Sequence, residues 1–310
     1  MKRITFLQYT LSSASILTMM PSIWTQEMLR KKGLRKIVIL YTNDQHSQID
    51  PLPANDSKYP NGGGFAKRAA LIRQIRSEEE NVLLLDAGDI FQGTPYFNFY
   101  GGELEFKLMS HMGYDASTMG NHDFDNGLDG FVKQLPNAKF PFLNVNYDTR
   151  DTALEGKLQP WLIKRFDGIR VGIFGLGVEL HGLVDPKLYG KVKYLNPIEK
   201  ANKTAHFLKK EEKCDLIICL SHLGYEYMST QVSDKMLAAS SYYIDLIVGG
   251  HTHTFLSEPT QIKNLSNQIT YVTQVGWKGL FLGRMDFIFD EKNTLHAEHH
   301  GLYKIFKKTI

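Results

Sequence analysis

A chain of 310 residues with 43% hydrophobic and 22% charged residues has room for one large domain or two small ones, and its composition excludes intrinsic disorder and fibrous repeats. Lysine and arginine number 36 against 33 aspartates and glutamates, a formal charge of +3. That is too near balance for a protein that gathers nucleic acid or an anionic membrane by bulk charge, so an anionic ligand must be held locally.

Taken in chain order, Lys2 and Arg3 precede an uncharged stretch, residues 4–26, and then the basic run Arg30, Lys31, Lys32, Arg35 and Lys36. This is the order of a signal peptide. Ser, Thr and Gln dilute the apolar part and Pro21 interrupts it, whereas a membrane-spanning helix needs about 20 mostly apolar residues. Residues 1–34 are therefore set aside as an export leader or, alternatively, an arm on a cytoplasmic protein. Periplasmic or other export is the expectation, with no stable membrane insertion.

From Lys36 onward, seven short β-rich apolar runs each stop at a polar cluster: KIVILYTND (36–44), NVLLLDAGD (81–89), DASTMGNHD (115–123), FPFLNVNYD (140–148), RVGIFGLGV (170–178), CDLIICLSH (214–222) and YIDLIVGGH (243–251). Consecutive apolar residues suggest strands covered on both faces. Helical spacing falls between them at 64–79, 102–112 and 196–213, the last beginning with Asn196 and Pro197 as a helix start should. Residues 268–290 instead alternate around glycine turns, which reads as a terminal set of antiparallel strands. No repeat or linker interrupts the alternation, so residues 35–310 read as one α/β domain with mixed sheets covered by helices. Cys214 and Cys219, the only two cysteines, lie about 16 Å apart on an extended strand, beyond the roughly 7 Å reach of a disulfide. Both are expected as free thiols.

The chemistry sits where the strands end. Asp44 and His46, Asp89, Asn121 and His122, His222, and His251 and His253 each follow an apolar run. In open α/β sheets the ligand lies beyond the carboxyl ends of the strands, so residues far apart in sequence can converge there. Singly, Asp44, Asp89 after Gly88, and Asn121 after Gly120 read as turn residues, and His222 as a strand-end histidine bonded to backbone. The pair His251 and His253 says more, because alternate residues leaving a strand point to one side. Five strand ends carrying only Asp, Asn and His make a metal site the better joint account. Imidazole and carboxylate without thiolate suit Zn, Mn, Fe, Co or Ni and argue against an all-oxygen calcium cage. Seven candidate ligands exceed the needs of one tetrahedral ion, whereas two ions about 3.5–4 Å apart, sharing a carboxylate, use them all and leave room for a bridging hydroxide. The reaction this favours is in-line displacement at phosphorus. His122, three residues before Asp125, is either a structural His–Asp pair or an imidazole that assists the departing alkoxide.

The blocks TNDQHSQ, GGGFAKRAALI, LLLDAGDIFQGTPY, MGYDASTMGNHDFDNG, ICLSHLG, VGGHTH and VTQVGWKGLFLGRMDF, in that order, resemble the calcineurin-like metallophosphoesterases. Within that family they are most similar to the catalytic domain of the 5'-nucleotidase group, which includes UDP-sugar hydrolases and cyclic-nucleotide phosphodiesterases. The resemblance implies a four-layer αββα sandwich with two mixed β-sheets. It makes Asp44, His46 and His253 ligands of one divalent ion, Asn121, His222 and His251 ligands of the other, and Asp89 the bridge, the ions being Zn, Mn, Co or Fe. It makes His122 and Asp125 the catalytic pair and Asn121 also a substrate contact, with Asp123 where Glu is frequent.

The implied activity is hydrolysis of phosphomonoesters, 5'-nucleotides foremost; phosphodiesters and nucleotide sugars are the alternatives. Full-size 5'-nucleotidases also carry a C-terminal domain that holds the base between aromatic rings, and these residues contain no counterpart of it. A self-sufficient phosphatase, the catalytic half of a split enzyme served by a separate C-terminal nucleotidase-domain protein, and an enzyme completed by oligomerisation are therefore all expected readings. Tyr96, Phe97, Phe99 and Tyr100 read first as packing of a loop over the sheet and second as a substrate entrance. Trp277 reads as core or turn, and His299 with His300 as a solvated surface pair.

Overall fold

The computed structural model describes Leu29 and residues 31–306, so the leader-like segment lies outside the described residues. The strands are β1 (Arg35–Thr42), β2 (Val82–Asp86), β3 (Ala116–Ser117), β4 (Tyr147–Asp148), β5 (Trp161–Phe166), β6 (Ile169–Leu176), β7 (Lys193–Tyr194), β8 (Leu216–Ser221), β9 (Leu246–Gly249), β10 (Thr260–Lys263), β11 (Ile269–Thr273), β12 (Phe281–Phe289) and β13 (Leu295–Lys304). They form one sheet in the order β13-β12-β1-β2-β3, a second in the order β10-β11-β9-β8-β6-β5, and a small β4-β7 pair. The centre of each large sheet is parallel, β1-β2-β3 in one and β6-β8-β9-β11 in the other, with antiparallel strands at the edges.

Period-two alternation explains the layering. On β1, Ile37, Ile39 and Tyr41 join a core with Leu216, Ile218 and Leu220 of β8, so these faces of the two sheets meet. Val38 and Leu40 point the other way, into a core with Phe65, Ile72 and Ile75 of the helix Phe65–Glu78 and Phe106 and Met109 of the helix Glu103–Met112. On β8, Ile217 and Cys219 likewise turn outward to Ala201, Ala205 and Leu208 of the helix Pro197–Lys210. The central strands of each sheet are buried on both faces, which is why they read as unbroken apolar runs, and the architecture is the expected αββα sandwich. The Asn196 side chain caps the helix Pro197–Lys210, accepting from the Glu199 amide at 3.0 Å.

The structure departs from the sequence reading in four places. Residues 140–148 do not form a long strand. The Asn144 side chain accepts from the amides of Asn146 and Tyr147 at 3.0 and 2.7 Å and turns the chain, leaving bridges at Phe142 and Leu143 and the two-residue β4. Strand β5 was not signalled by an apolar run, because it is a half-buried edge; the Asp167-Gly168 turn to β6, with φ of 48° and 84°, is its sequence mark. The C-terminal strands are not one antiparallel set: β11 runs parallel to β9 in the second sheet, while β12 pairs antiparallel with β1 in the first. The connection between them, residues 274–280, therefore crosses from sheet to sheet. Finally, His300 is not a solvated residue, since its side chain is 7% exposed and its Nδ1 lies 3.4 Å from a Glu258 carboxylate oxygen. Cys214 and Cys219 are free and buried, as expected.

Candidate metal centre

The loops that leave β1, β2, β3, β8 and β9 at their carboxyl ends bring Asp44, His46, Asp89, Asn121, His222, His251 and His253 together. Among the described residues, ligand atoms of Asp44, His46, Asp89 and His253 lie within 4.8 Å of one another, and so do those of Asp89, His222 and His251. Asp89 belongs to both groups. The Asn121 side-chain oxygen is 2.7 Å from His251 Nδ1. The backbone is bent to aim these groups: Asp44, His46, Asp89, His251 and His253 all have φ between 48° and 73°. A non-glycine residue there costs roughly 1–3 kcal/mol, a strain that concentrates at functional sites.

The spacings bracket those of a cation shell. Tetrahedral ligands about 2.0–2.2 Å from an ion sit about 3.3–3.6 Å apart. Here His253 Nε2 is 3.3 Å and His46 Nε2 3.9 Å from Asp44 Oδ1, and His222 Nε2 is 3.2 Å from Asp89 Oδ2. His46 Nε2 and His253 Nε2 approach to 2.9 Å. His222 Nδ1 is 2.6 Å from the Ala87 carbonyl oxygen, so Nδ1–H donates to it and Nε2 is the atom aimed at the carboxylates. That buried Nε2 has no hydrogen-bond partner of its own. A nitrogen and oxygen donor set with an orphaned, preset imidazole fits a divalent cation.

The electrostatics agree. Burial alone lowers the proton affinity of His222, but Asp89 and Asp44 outweigh it and push the pKa up to about 10, as expected of a site made for positive charge. Burial and His222 together push His251 down to about 4, and burial lowers His46, which keeps these imidazoles neutral and available as ligands.

Beside the cluster, His122 Nδ1 is 2.8 Å from Asp125 Oδ2, and its amide donates to Asp89 Oδ1 at 2.8 Å. Its pKa is raised, first by the Asp125 hydrogen bond. Its ring meets His46 edge-on at 5.3 Å. Asp123 turns inward and accepts from the amides of Gly120, Asp89, Ile90 and Phe91 at 2.8–3.2 Å, so it shapes the Asp89 loop. Gly120 is required there, because a Cβ would meet Asp89 Oδ1 at 2.2 Å.

Two contacts escaped the sequence reading. Trp277 opens a turn, the Leu280 amide donating to its carbonyl at 3.3 Å, and packs against the inter-sheet core as read, but its ring also stacks on His253 with centroids 5.0 Å apart and 19° between planes. Gln274 is fully buried and donates to the Gly250 carbonyl at the base of the loop carrying His251 and His253. No local pattern announces either, since both act across the sheet-to-sheet connection. Of the four aromatics after Asp89, Phe97 packs on Phe91, Tyr96 bonds Asp50, and Phe99 and Tyr100 are exposed.

The calcineurin-like phosphoesterase family model matches residues 37–255. The chain belongs to the calcineurin-like phosphoesterases. It is similar to the trifunctional nucleotide phosphoesterase protein YfkN of Bacillus subtilis, 32% identical over 88% of this chain and 19% of that protein. It is also similar to the snake venom 5'-nucleotidase of Gloydius brevicauda, 32% identical over 91% of this chain and 50% of the relative. Among solved structures, the 5'-nucleotidase precursor from Thermus thermophilus superposes with a TM-score of 0.79 at 32% identity, over 87% of this chain and 55% of that one. This phosphoesterase thus spans half or little more of two of these relatives and a fifth of the third. Among its described residues, no helix is long and apolar enough to cross a membrane.

Proposed function

We propose that this phosphoesterase hydrolyses phosphomonoesters, 5'-nucleotides first among them, with two divalent ions drawn from Zn, Mn, Co and Fe. The convergence of Asp44, His46, Asp89, His222, His251 and His253 in two groups that share Asp89 carries the reading. Asp44, His46 and His253 would hold one ion, Asn121, His222 and His251 the other, and Asp89 both. Bound there, the cations would supply an acidified water and neutralise phosphoryl oxygens.

The chain's own residues do the rest. Asp125 fixes His122 by Nδ1 at 2.8 Å, so Nε2 is the atom left to hold a proton for the departing alkoxide. Asn121, beside His251, doubles as a contact for the phosphoryl group. Phosphodiesters and nucleotide sugars are the competing substrates, because the same centre serves any phosphoryl ester and the fold does not choose its organic half.

Residues 35–310 are read as the catalytic domain and residues 1–34 as a leader for export, on the basic-apolar order of the segment. A separate C-terminal nucleotidase-domain protein or a second copy is the partner proposed to supply nucleoside contacts. The test is elemental analysis of the purified chain together with phosphate release from AMP, a 2',3'-cyclic nucleotide, a UDP-sugar and an aryl phosphate. About two transition ions per chain and turnover of AMP are expected. Aryl phosphate hydrolysis with none on AMP would move nucleoside recognition to another polypeptide, and absence of both metal and activity would overturn the proposal.

A further inference from the structure

The histidines of the centre are held by different means. His222 is fixed by a backbone carbonyl inside the sheet. His253 follows β9 on a loop whose neighbours are tied instead to residues 274–278, the connection between the two sheets. Gln274 Nε2 donates to Gly250 O at 2.5 Å, and its side-chain oxygen accepts from Thr252 Oγ1 at 3.1 Å and from the Thr254 amide. The Gly276 amide donates to Thr254 O at 3.0 Å, and Phe255 forms a bridge with Val275. The two neighbours of His253, Thr252 and Thr254, are therefore both bonded to that connection.

The same connection is tied to Asp44. The Asn43 side chain accepts from the Val275 amide at 2.9 Å and donates to Gly276 O at 2.6 Å, and the Lys278 amide donates to Asp44 O at 2.7 Å. Within this frame the Trp277 ring lies flat against the His253 imidazole, and the Lys278 ammonium sits 4.2 Å from the indole centroid. His46 meets the same indole edge-on at 6.4 Å. An imidazole can swing about its side-chain torsions, and a ligand gains affinity when a neighbour removes that freedom.

We propose that Trp277 is a positioning residue for the His253 side of the centre: the indole sets the plane of the His253 imidazole, and Gln274 and Asn43 hold the frame. The inference rests on the metal-site reading above and adds to it an asymmetry. The ion held by Asp44, His46 and His253 depends on Trp277; the ion held by Asn121, His222 and His251 does not.

Metal titration of the metal-free full chain tests this, with Co(II) as the probe and both tryptophan fluorescence and the visible cobalt spectrum as readouts. Three tryptophans are present; Trp161 packs on Phe207 against the outer helix, and the difference between wild type and Trp277→Phe isolates the Trp277 signal. In the wild type, one equivalent of cobalt is expected to quench the Trp277 signal, and Trp277→Phe should lose that quenching. Trp277→Ala should weaken one of two resolved binding steps about 10- to 100-fold while the other stays within threefold, and Trp277→Phe, which keeps a flat ring, should recover most of the loss. The inference is overturned if Trp277→Ala binds both ions as the wild type does, if both steps weaken equally in a variant whose circular dichroism is unchanged, or if wild-type fluorescence ignores cobalt that elemental analysis shows to be bound. If Trp277→Ala does not fold, Trp277→Leu, which keeps apolar bulk but no flat ring, takes its place in the same titration and is expected to weaken the same single step. A wild-type chain that binds no cobalt at all sinks the metal-site reading itself, a result distinct from the others.

Discussion

Asp89 and His222 keep 1% or less of their side chains in solvent, whereas His122, Asp125 and His253 keep 37%, 28% and 35%. The deep wall is fixed by main chain: Ala87 O holds His222, and the amides of Asp89, Ile90 and Phe91 bond the buried Asp123. The open wall is fixed by side chains, Asp125 on His122 and Trp277 on His253. The difference follows from what each wall must do. A cation shell has to be rigid and dry to hold its charges together, while the groups that meet an ester must admit it and release its alcohol. On the proposed reading, the deep wall serves the phosphoryl half of the chemistry and the open wall the organic half.

Substitutions on the two walls should separate metal binding from turnover. Asp89→Asn, at the shared position of the deep wall, is expected to remove bound metal and to lower aryl phosphate hydrolysis more than the roughly 10²–10⁴-fold a general acid supplies. Elemental analysis and kcat measured on the same preparation check it; full metal content with near-normal kcat would break the comparison. On the open wall, His122→Asn should keep its metal and lose about 10²–10³-fold in kcat. The loss should be steeper for an alkyl phosphate than for 4-nitrophenyl phosphate, whose leaving group needs no proton. Equal losses on both esters would remove His122 from leaving-group chemistry.

Behind the deep wall, Asp86 offers a stability test independent of activity. It is fully buried and accepts from Thr42 Oγ1, Gln45 Nε2, the Gly88 amide and Ser117 Oγ at 2.6–3.0 Å. Burial nevertheless pushes its pKa up from 3.8 to about 6. The native state therefore binds the proton more tightly than the unfolded chain. This contribution to stability is complete below about pH 4, is lost as pH rises through about 6, and amounts to about 3 kcal/mol. Asp86→Asn should flatten that segment of the profile, read as urea midpoints at pH 4, 6 and 7.5. Parallel profiles for variant and wild type would show that the four donors cancel the burial.

The metal-ligand candidates of both walls were legible in the sequence, the contacts that hold the open wall only partly. Asp44, Asp89, Asn121, His222, His251 and His253 each follow an apolar run, and parallel strands buried on both faces gather their carboxyl ends by geometry alone. His122 and Asp125 could be paired because they share one turn. Trp277 was placed as core or turn, but its contact with His253 could not be read, since it depends on the chain changing sheets between β11 and β12, where the alternating pattern is the same on either side. Strand β5 was hidden for a related reason: WLIKRF is a half-buried edge, so it lacks the unbroken apolar signature of the central strands. Residues 140–148 carried that signature and still failed, because the Asn144 side chain bonds the backbone ahead of it.

Asp125→Asn is the mildest change to the open wall and the one that most sharpens its role. Asparagine keeps an oxygen able to accept from His122 Nδ1–H, so the ring should hold its orientation while losing the charge beside it. A hydrogen bond to a charged partner is worth roughly 1.4 kcal/mol more than one between neutral groups, which corresponds to about a tenfold change. The expectation is therefore a kcat about tenfold lower, with KM and metal content unchanged, because neither the cation shell nor the phosphoryl contacts are touched. A KM rise with constant kcat would mean that Asp125 faces the substrate rather than the histidine. A loss as large as that of His122→Asn would mean that the ring had turned away, and that orientation, not charge, is what the carboxylate supplies.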